Sequence, residues 1–253
     1  MSLSVPSSTP SSLVIAHRGG AHAAPQNTIA AFRQGWADGA DGVEGDFFLS
    51  ADGHVVCIHD RNTGELADRS LDVTESTLAE LKTLDVGFKK GKAFVGERVP
   101  TLEEVIVTVP DQKKLFVEVK DSVRVVAPIA EVLGASNLSP EQVAVIAFDR
   151  SVVQESKRRM PDIKAYWILN QKMFAEYGVS KVLDMAREIR ADGVDIEAHQ
   201  DVRETYVSAC RGVGLEVHCW TINDATTAKR FAQWGVDSMT TDRPALIRAA
   251  MGR

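Results

Sequence analysis

From Leu13 onward the chain alternates eight times between a short run of apolar, strand-forming residues and a stretch with helical spacing, and this alternation constrains the fold more than any other feature. The runs are LVIAH (13–17), GVEGDFFL (42–49), KLFVEVK (114–120), QVAVIAF (142–148), KAYWIL (164–169), GVDIEAH (193–199), LEVHCWTI (215–222) and VDSMTT (236–241). Near-continuous apolar strands of this kind are buried on both faces, as in a parallel sheet covered by helices. A right-handed crossover repeated eight times returns to its starting edge, so the predicted fold is of the α/β class, a (β/α)8 TIM barrel. A doubly wound open sheet is the competitor. It would want a Gly-rich phosphate turn after the first strand, and His17-Arg18-Gly19-Gly20 does not supply one.

Helix starts are marked by Asn27 ahead of Ile29, Phe32 and Trp36, by Thr101 with Glu104 as a capping box, and by Asp201 with Glu204 as another. The second strand continues into SADGHVVCIHD, where Asp52-Gly53 reads as a hairpin turn. Residues 61–100 then form a short insertion after this strand, with a helix in TLAELKTL and a polar KKGKAFVGERV segment. Residues 1–12, rich in Ser, Thr and Pro, read as a flexible tail, and 13–253 as a single domain. With 29 Lys+Arg against 35 Asp+Glu, and no basic run, nucleic acid is not an expected partner. No apolar run approaches the roughly 20 residues that cross a bilayer. The three cysteines, Cys57, Cys210 and Cys219, fit a reducing compartment, and the expected location is the cytoplasm.

A barrel of this type carries its chemistry at the C-terminal ends of its strands. His17 and Arg18 end the first. Glu44 and Asp46 lie two apart on the second, hence on one face; Glu118 and Lys120 repeat that spacing on the third; and His59 ends the hairpin. Three carboxylates interrupting apolar, inward-facing sequence need a cation. With no Cys among them they form a hard-oxygen set suited to one divalent ion, Mg²⁺, Ca²⁺ or Mn²⁺. A buried ion network with Arg18 and Lys120 is the other reading. Two histidines beside the carboxylate strands supply an acid and a base near neutrality.

An ordered set of motifs runs through the chain: HRG at 17–19, Asn27-Thr28, GADGVEGD at 39–46, His59-Asp60, LKTLDVG at 81–87, VPTLEEV at 99–105, VEVK at 117–120, WTIND at 220–224 and TTDRP at 240–244. In this the chain resembles the glycerophosphodiester phosphodiesterases. The resemblance implies divalent-metal-dependent hydrolysis of a small-molecule glycerophosphodiester to sn-glycerol 3-phosphate and an alcohol. It implies metal ligation by Glu44, Asp46 and Glu118, acid and base roles for His17 and His59, phosphate contacts from Arg18 and Lys120, and packing of Trp220 against the glycerol. Enzymes of the family usually carry Glu before the Asn-Thr pair, where this chain has Gln26.

Two further functions fit parts of the sequence. Phospholipase C-like or sphingomyelinase D-like cleavage of a membrane lipid would use apolar and basic residues on the insertion, and Phe88, Phe94, Lys89, Lys90 and Lys92 are there. A non-catalytic barrel that only binds a phosphodiester would fit the neutral Gln26. Trp220 has core packing against Trp234 or Phe231 as its plain alternative, and for Glu197, His199, Asp242 and Arg243 the expectation is structural pairing. Stable membrane insertion is not expected.

Overall fold

The computed structural model describes residues 12–253. The tail expected at residues 1–12 lies outside them except for Ser12, which is buried and donates through Oγ to the Val236 carbonyl at 2.6 Å. Nine strands are present among these residues: β1 (Leu13–Ala16), β2 (Gly42–Leu49), β3 (Val55–Cys57), β4 (Lys114–Val119), β5 (Val143–Ala147), β6 (Lys164–Leu169), β7 (Gly193–Glu197), β8 (Glu216–Trp220) and β9 (Ser238–Thr241). All but β3 are parallel. They pair as β1-β2-β4-β5-β6-β7-β8-β9, and β9 returns to β1 through Val14 opposite Met239, closing the predicted eight-stranded barrel. The helices are α1 (Ile29–Ala37), α2 (Leu78–Leu81), α3 (Leu102–Ile106), α4 (Val126–Gly134), α5 (Arg150–Arg159), α6 (Gln171–Glu188), α7 (Glu204–Gly212), α8 (Ala225–Gln233) and α9 (Pro244–Ala250).

Strand alternation divides the core into two shells. Val14, Val43, Phe47, Val117, Val145, Trp167, Val194, Val217 and Met239 point outward and pack with Phe32, Ile129, Val152, Val207, Phe231 and Ile247 of the helices. The opposite parity points inward, where Ile15, Phe116, Ala144, Ile146, Tyr166 and Ile168 form a separate and smaller apolar cluster. The same parity sends Glu44, Asp46, Glu118 and Asp195 into the barrel.

The ends of elements differ from the sequence expectation in a consistent way. Most strands stop one or two residues early, because residues such as His17, Lys120 and Phe148 leave the sheet to line the mouth. Strand two is followed by the antiparallel β3, not directly by a helix; Ser50 N–H donates to the His54 carbonyl across the Asp52-Gly53 turn, with Gly53 at φ +87°. Thr28, not Asn27, caps α1, accepting from Ala31 N–H; Asn27 is at φ +57° and its side chain is committed elsewhere. The capping box expected at Asp201 does not form. Arg203 holds the cap position of α7 without a side-chain bond, while Asp201 N–H donates to His199 Nδ1. The Thr101–Glu104 box is present, and a second joins Thr77 and Glu80 at α2.

The helix expected across TLAELKTL is the single turn α2, and the polar segment after it forms two 3-10 turns, Phe88–Lys90 and Lys92–Phe94. This region owns a small core, in which Ala67, Val73, Leu81, Leu84 and Val99 pack on Phe48, Val56 and Ile58 of the hairpin. It therefore stands over the barrel mouth on apolar contacts of its own.

Candidate active site

Glu44, Asp46 and Glu118 each offer a carboxylate oxygen within 4.8 Å of the others, and all three residues are buried. The barrel produces this grouping directly, because Asp46 is in register with Glu118 on the neighbouring β4 and Glu44 precedes it by two residues on β2. Burial, then repulsion from Asp46 and Glu118, pushes the Glu44 carboxyl well above the ordinary carboxylate range. Burial and then Asp46 push Glu118 up to about 7. Glu44 Oε1 and Asp46 Oδ1 are buried with no hydrogen-bond partner among the described residues. Unpaired buried oxygens facing one another are costly, and a hard divalent cation is the group that would relieve them, so the donor set fits one. The remaining oxygens are held in place: Arg18 N–H donates to Glu44 Oε2 at 2.9 Å, and Asn27 donates to Asp46 Oδ2 at 2.7 Å while accepting from the Asp46 amide.

The two histidines stand at this cluster with one ring nitrogen tied back. His17 Nδ1 donates to Asp242 at 2.7 Å, leaving Nε2 at 4.0 Å from Glu44. His59 Nδ1 donates to Asp60 at 2.8 Å, and its Nε2 accepts from Lys120 Nζ at 3.3 Å. Burial, partly opposed by the Asp46 charge, lowers the His59 pKa. Lys120 also reaches Glu118 at 2.9 Å and Asp46 at 3.6 Å. Its own burial works against the ammonium, yet Glu118 and Asp46 hold its pKa above the ordinary lysine value. The Arg18 guanidinium lies 3.3 Å from Asp46 and donates to Gln26 Oε1. Arg18 takes φ +50° and Gly19 φ +86°, and a Cβ on Gly19 would come within 2.5 Å of the Ala31 backbone, so this tight loop needs glycine to press against α1.

Two adjoining cavities share His17 and Arg18. The inner one, about 140 Å³, is lined by His17, Arg18, Glu44, His59, Glu118, Lys120 and Thr240, with an apolar wall of Ile146, Phe148, Ile168 and Trp220 and the side chain of Asp195. The outer one, about 590 Å³, lies between the barrel mouth and the insertion, against His22, Gln26, Leu66, Val86, Lys89 and Lys90. The chemistry belongs to the inner cavity, which holds the carboxylates.

Every residue expected at the site therefore comes together here, with Asp46 just behind the cavity wall. Trp220 packs edge-on to Phe148 at 5.8 Å, while Phe231 and Trp234 pack on each other instead. Asp242 does form the expected structural pair, but with His17 and Asn223, which makes it part of the site. Arg243 also differs from expectation by lining the outer cavity. Glu197 and His199 stay out of both cavities, occupied with the Gln171 amide and Asp201. Asn27 was readable only as a helix start, and Asp195 carried no signal beyond sitting in an apolar run. The two insertion lysines brace backbone: Lys89 Nζ donates to the carbonyls of Gly64 and Glu65, and Lys90 Nζ to that of Ala21.

Residues 17–246 match the model of the glycerophosphoryl diester phosphodiesterase family. The chain is 32% identical over 236 residues to a glycerophosphodiester phosphodiesterase of Caldanaerobacter subterraneus, covering 92% of this chain and 94% of that protein. It superposes with a TM-score of 0.86 and 27% identity on a phosphodiesterase of Oleispira antarctica solved with the product sn-glycerol-3-phosphate, covering 96% of this chain and 98% of that one. A glycerophosphodiester phosphodiesterase of Thermotoga maritima, at 22% identity and a TM-score of 0.78, shares the fold over 94% and 97% of the two chains.

Proposed function

This chain belongs to the glycerophosphoryl diester phosphodiesterase family and hydrolyses glycerophosphodiesters, and we propose that it does so with His17 and His59 as acid and base beside a divalent cation held by Glu44, Asp46 and Glu118. The observation that carries this reading is the convergence of three buried carboxylates bearing unpaired oxygens with two carboxylate-oriented histidines on one cavity. A cation bound there would supply Lewis-acid polarisation of the phosphoryl group.

The protein's own residues do the rest. Arg18 and Lys120 bring positive charge to the phosphodiester and offset the repulsion it presents to a nucleophile. One imidazole takes the proton from the attacking hydroxyl and the other returns one to the leaving alkoxide, which departs poorly as an anion. Asp242 and Asp60 hold the rings in the tautomer that presents Nε2. The glycerol hydroxyl beside the ester is the first nucleophile in this reading. It gives a cyclic phosphate that water opens with the two rings exchanging roles.

The lipid-cleaving alternative loses its support at the insertion, where Lys89 and Lys90 are occupied with carbonyl groups. No helix among the described residues is long and apolar enough to cross a membrane. A cytoplasmic enzyme acting on a small molecule is consistent with three free, buried cysteines. The test is product analysis with glycerophosphocholine and no vesicles present. Sn-glycerol 3-phosphate and choline are expected; phosphocholine and glycerol, or no turnover with any divalent metal, would overturn the reading.

A further inference from the structure

Asp195 is 2% exposed at the middle of β7, and the hydrolytic chemistry gives it no task. Its neighbours Val194 and Ile196 point outward to the helices, so the alternation of the strand drives its side chain into the barrel. There it lines the inner cavity beside Ile168, Phe148 and Trp220. Its Oδ1 has no hydrogen-bond partner among the described residues, and the strand pairing on either side uses only the backbone. Trp220 Nε1, the nearest donor able to pair with it, donates instead to the Asp195 main-chain carbonyl at 3.3 Å.

A carboxyl group in this position is hard to explain as scaffolding. Native structures pair nearly all their buried polar atoms, and the cost of leaving one unpaired is of the same order as a good hydrogen bond. It stands opposite the catalytic groups, on a wall that is otherwise apolar. That combination, carbon-faced surface with one unpaired oxygen acid, is what a short polyol needs: its C–H faces pack on aromatic and branched side chains while a hydroxyl finds a partner. The inner cavity is small, which suits a three-carbon unit, and the outer one is left for the variable alcohol.

We propose that Asp195 binds the terminal hydroxyl of the glycerol unit, the one not adjacent to the ester, and so selects glycerol over diol and simple alkyl phosphodiesters. This rests on the phosphodiesterase reading and assigns the specificity of that same site. Asp195 acts in binding and not in proton transfer, so its removal acts on discrimination and KM before kcat.

The experiment compares glycerophosphocholine with the analogue built on propane-1,2-diol, which keeps the hydroxyl beside the ester and lacks only the terminal one. The wild-type enzyme should prefer glycerophosphocholine by about 10- to 100-fold in kcat/KM, the range for a buried hydrogen bond to a carboxyl group. In Asp195→Ala the two substrates should fall within about 3-fold of each other, with the loss on glycerophosphocholine appearing mainly in KM. Asp195→Asn, which keeps shape and an acceptor, should retain part of the preference and the full Mn²⁺ affinity. Calorimetric binding of sn-glycerol 3-phosphate and of propane-1,2-diol phosphate to wild type gives the same comparison without turnover. Equal handling of both substrates by the wild type overturns the inference while leaving the phosphodiesterase intact. So does a preference that survives in Asp195→Ala, or a loss of Mn²⁺ binding in Asp195→Asn, which would make the residue a metal ligand. A protein that neither binds nor hydrolyses either compound overturns both readings.

Discussion

His17 and His59 differ in their surroundings in a way that bears on their work. His17 is backed by Asp242, whose own carboxyl resists burial yet is held below the ordinary range by the His17 bond, whereas His59 shares its free nitrogen with Lys120. His17→Ala and His59→Ala should each lower kcat by at least about 10²-fold without loss of fold, and near-normal turnover in either would remove that residue from the chemistry. A leaving alcohol of low pKa should rescue only the variant that lacks the acid. Gln26 is a separate case. Its amide oxygen accepts from the Arg18 guanidinium, and it does not line the inner cavity. Gln26→Glu would put a second negative charge on Arg18, already 3.3 Å from Asp46, and so weaken its hold on phosphate. The expected result is a rise in KM with little change in the metal concentration giving half-maximal activity; steady-state kinetics across a Mn²⁺ titration would show the reverse if Gln26 acted on the metal.

At the scale of elements, the barrel's register rests on three aspartates placed one residue before a strand. Asp41 accepts from Val14 N–H, Asp192 from Ala165 N–H and Asp237 from Val217 N–H, each tying the start of its own strand to the backbone of the neighbouring one. Gly193 behind Asp192 leaves room for that neighbour, since a Cβ there would stand 2.4 Å from the Glu216 carbonyl. Asp192→Ala strips a partner from the Ala165 amide and from Lys157 Nζ, and should cost about 1–3 kcal/mol in stability while kcat stays unchanged. Urea unfolding paired with an activity assay checks this; an equal loss of kcat would mean that the base of the barrel reaches the site. The eight strands and the Thr101 box were legible because alternation and capping are local signals. The Asp201 cap failed because residues 199–203 satisfy one another through His199 instead of starting the helix. Asp242 and Asp195 were not legible as site residues, because their meaning depends on which strands close the barrel, a long-range fact that Val14 and Met239 decide.

Across the whole molecule, the two ends of the barrel carry opposite electrostatic designs. The mouth gathers carboxylates whose burial and mutual repulsion oppose ionisation, while at the base Glu216 is surrounded by partners: the His218 ring at 3.7 Å, an ionic contact, the Tyr166 hydroxyl at 2.6 Å and Lys164 at 3.2 Å. Those partners, His218 foremost, hold Glu216 down at about 2, so its ionised form favours the fold above the unfolded-state pKa near 4.5 and that contribution is lost as pH falls toward 2. Glu216→Gln should lower Tm at pH 6, and the gap from wild type should close between about pH 4.5 and 2. A gap that stays constant through that range would assign the effect to packing. The stable base lets the mouth hold an arrangement that is unfavourable without a cation. The most direct measurement of that arrangement is glycerophosphocholine hydrolysis by chelator-treated protein, wild type beside Glu44→Gln, during titration with Mg²⁺, Mn²⁺ or Ca²⁺. Activity should vanish on chelation and return with at least one of these ions in the wild type, and it should not return over the same concentrations in Glu44→Gln. Full activity in the presence of EDTA would contradict the assignment and leave Glu44, Asp46 and Glu118 as a buried ion network with Arg18 and Lys120.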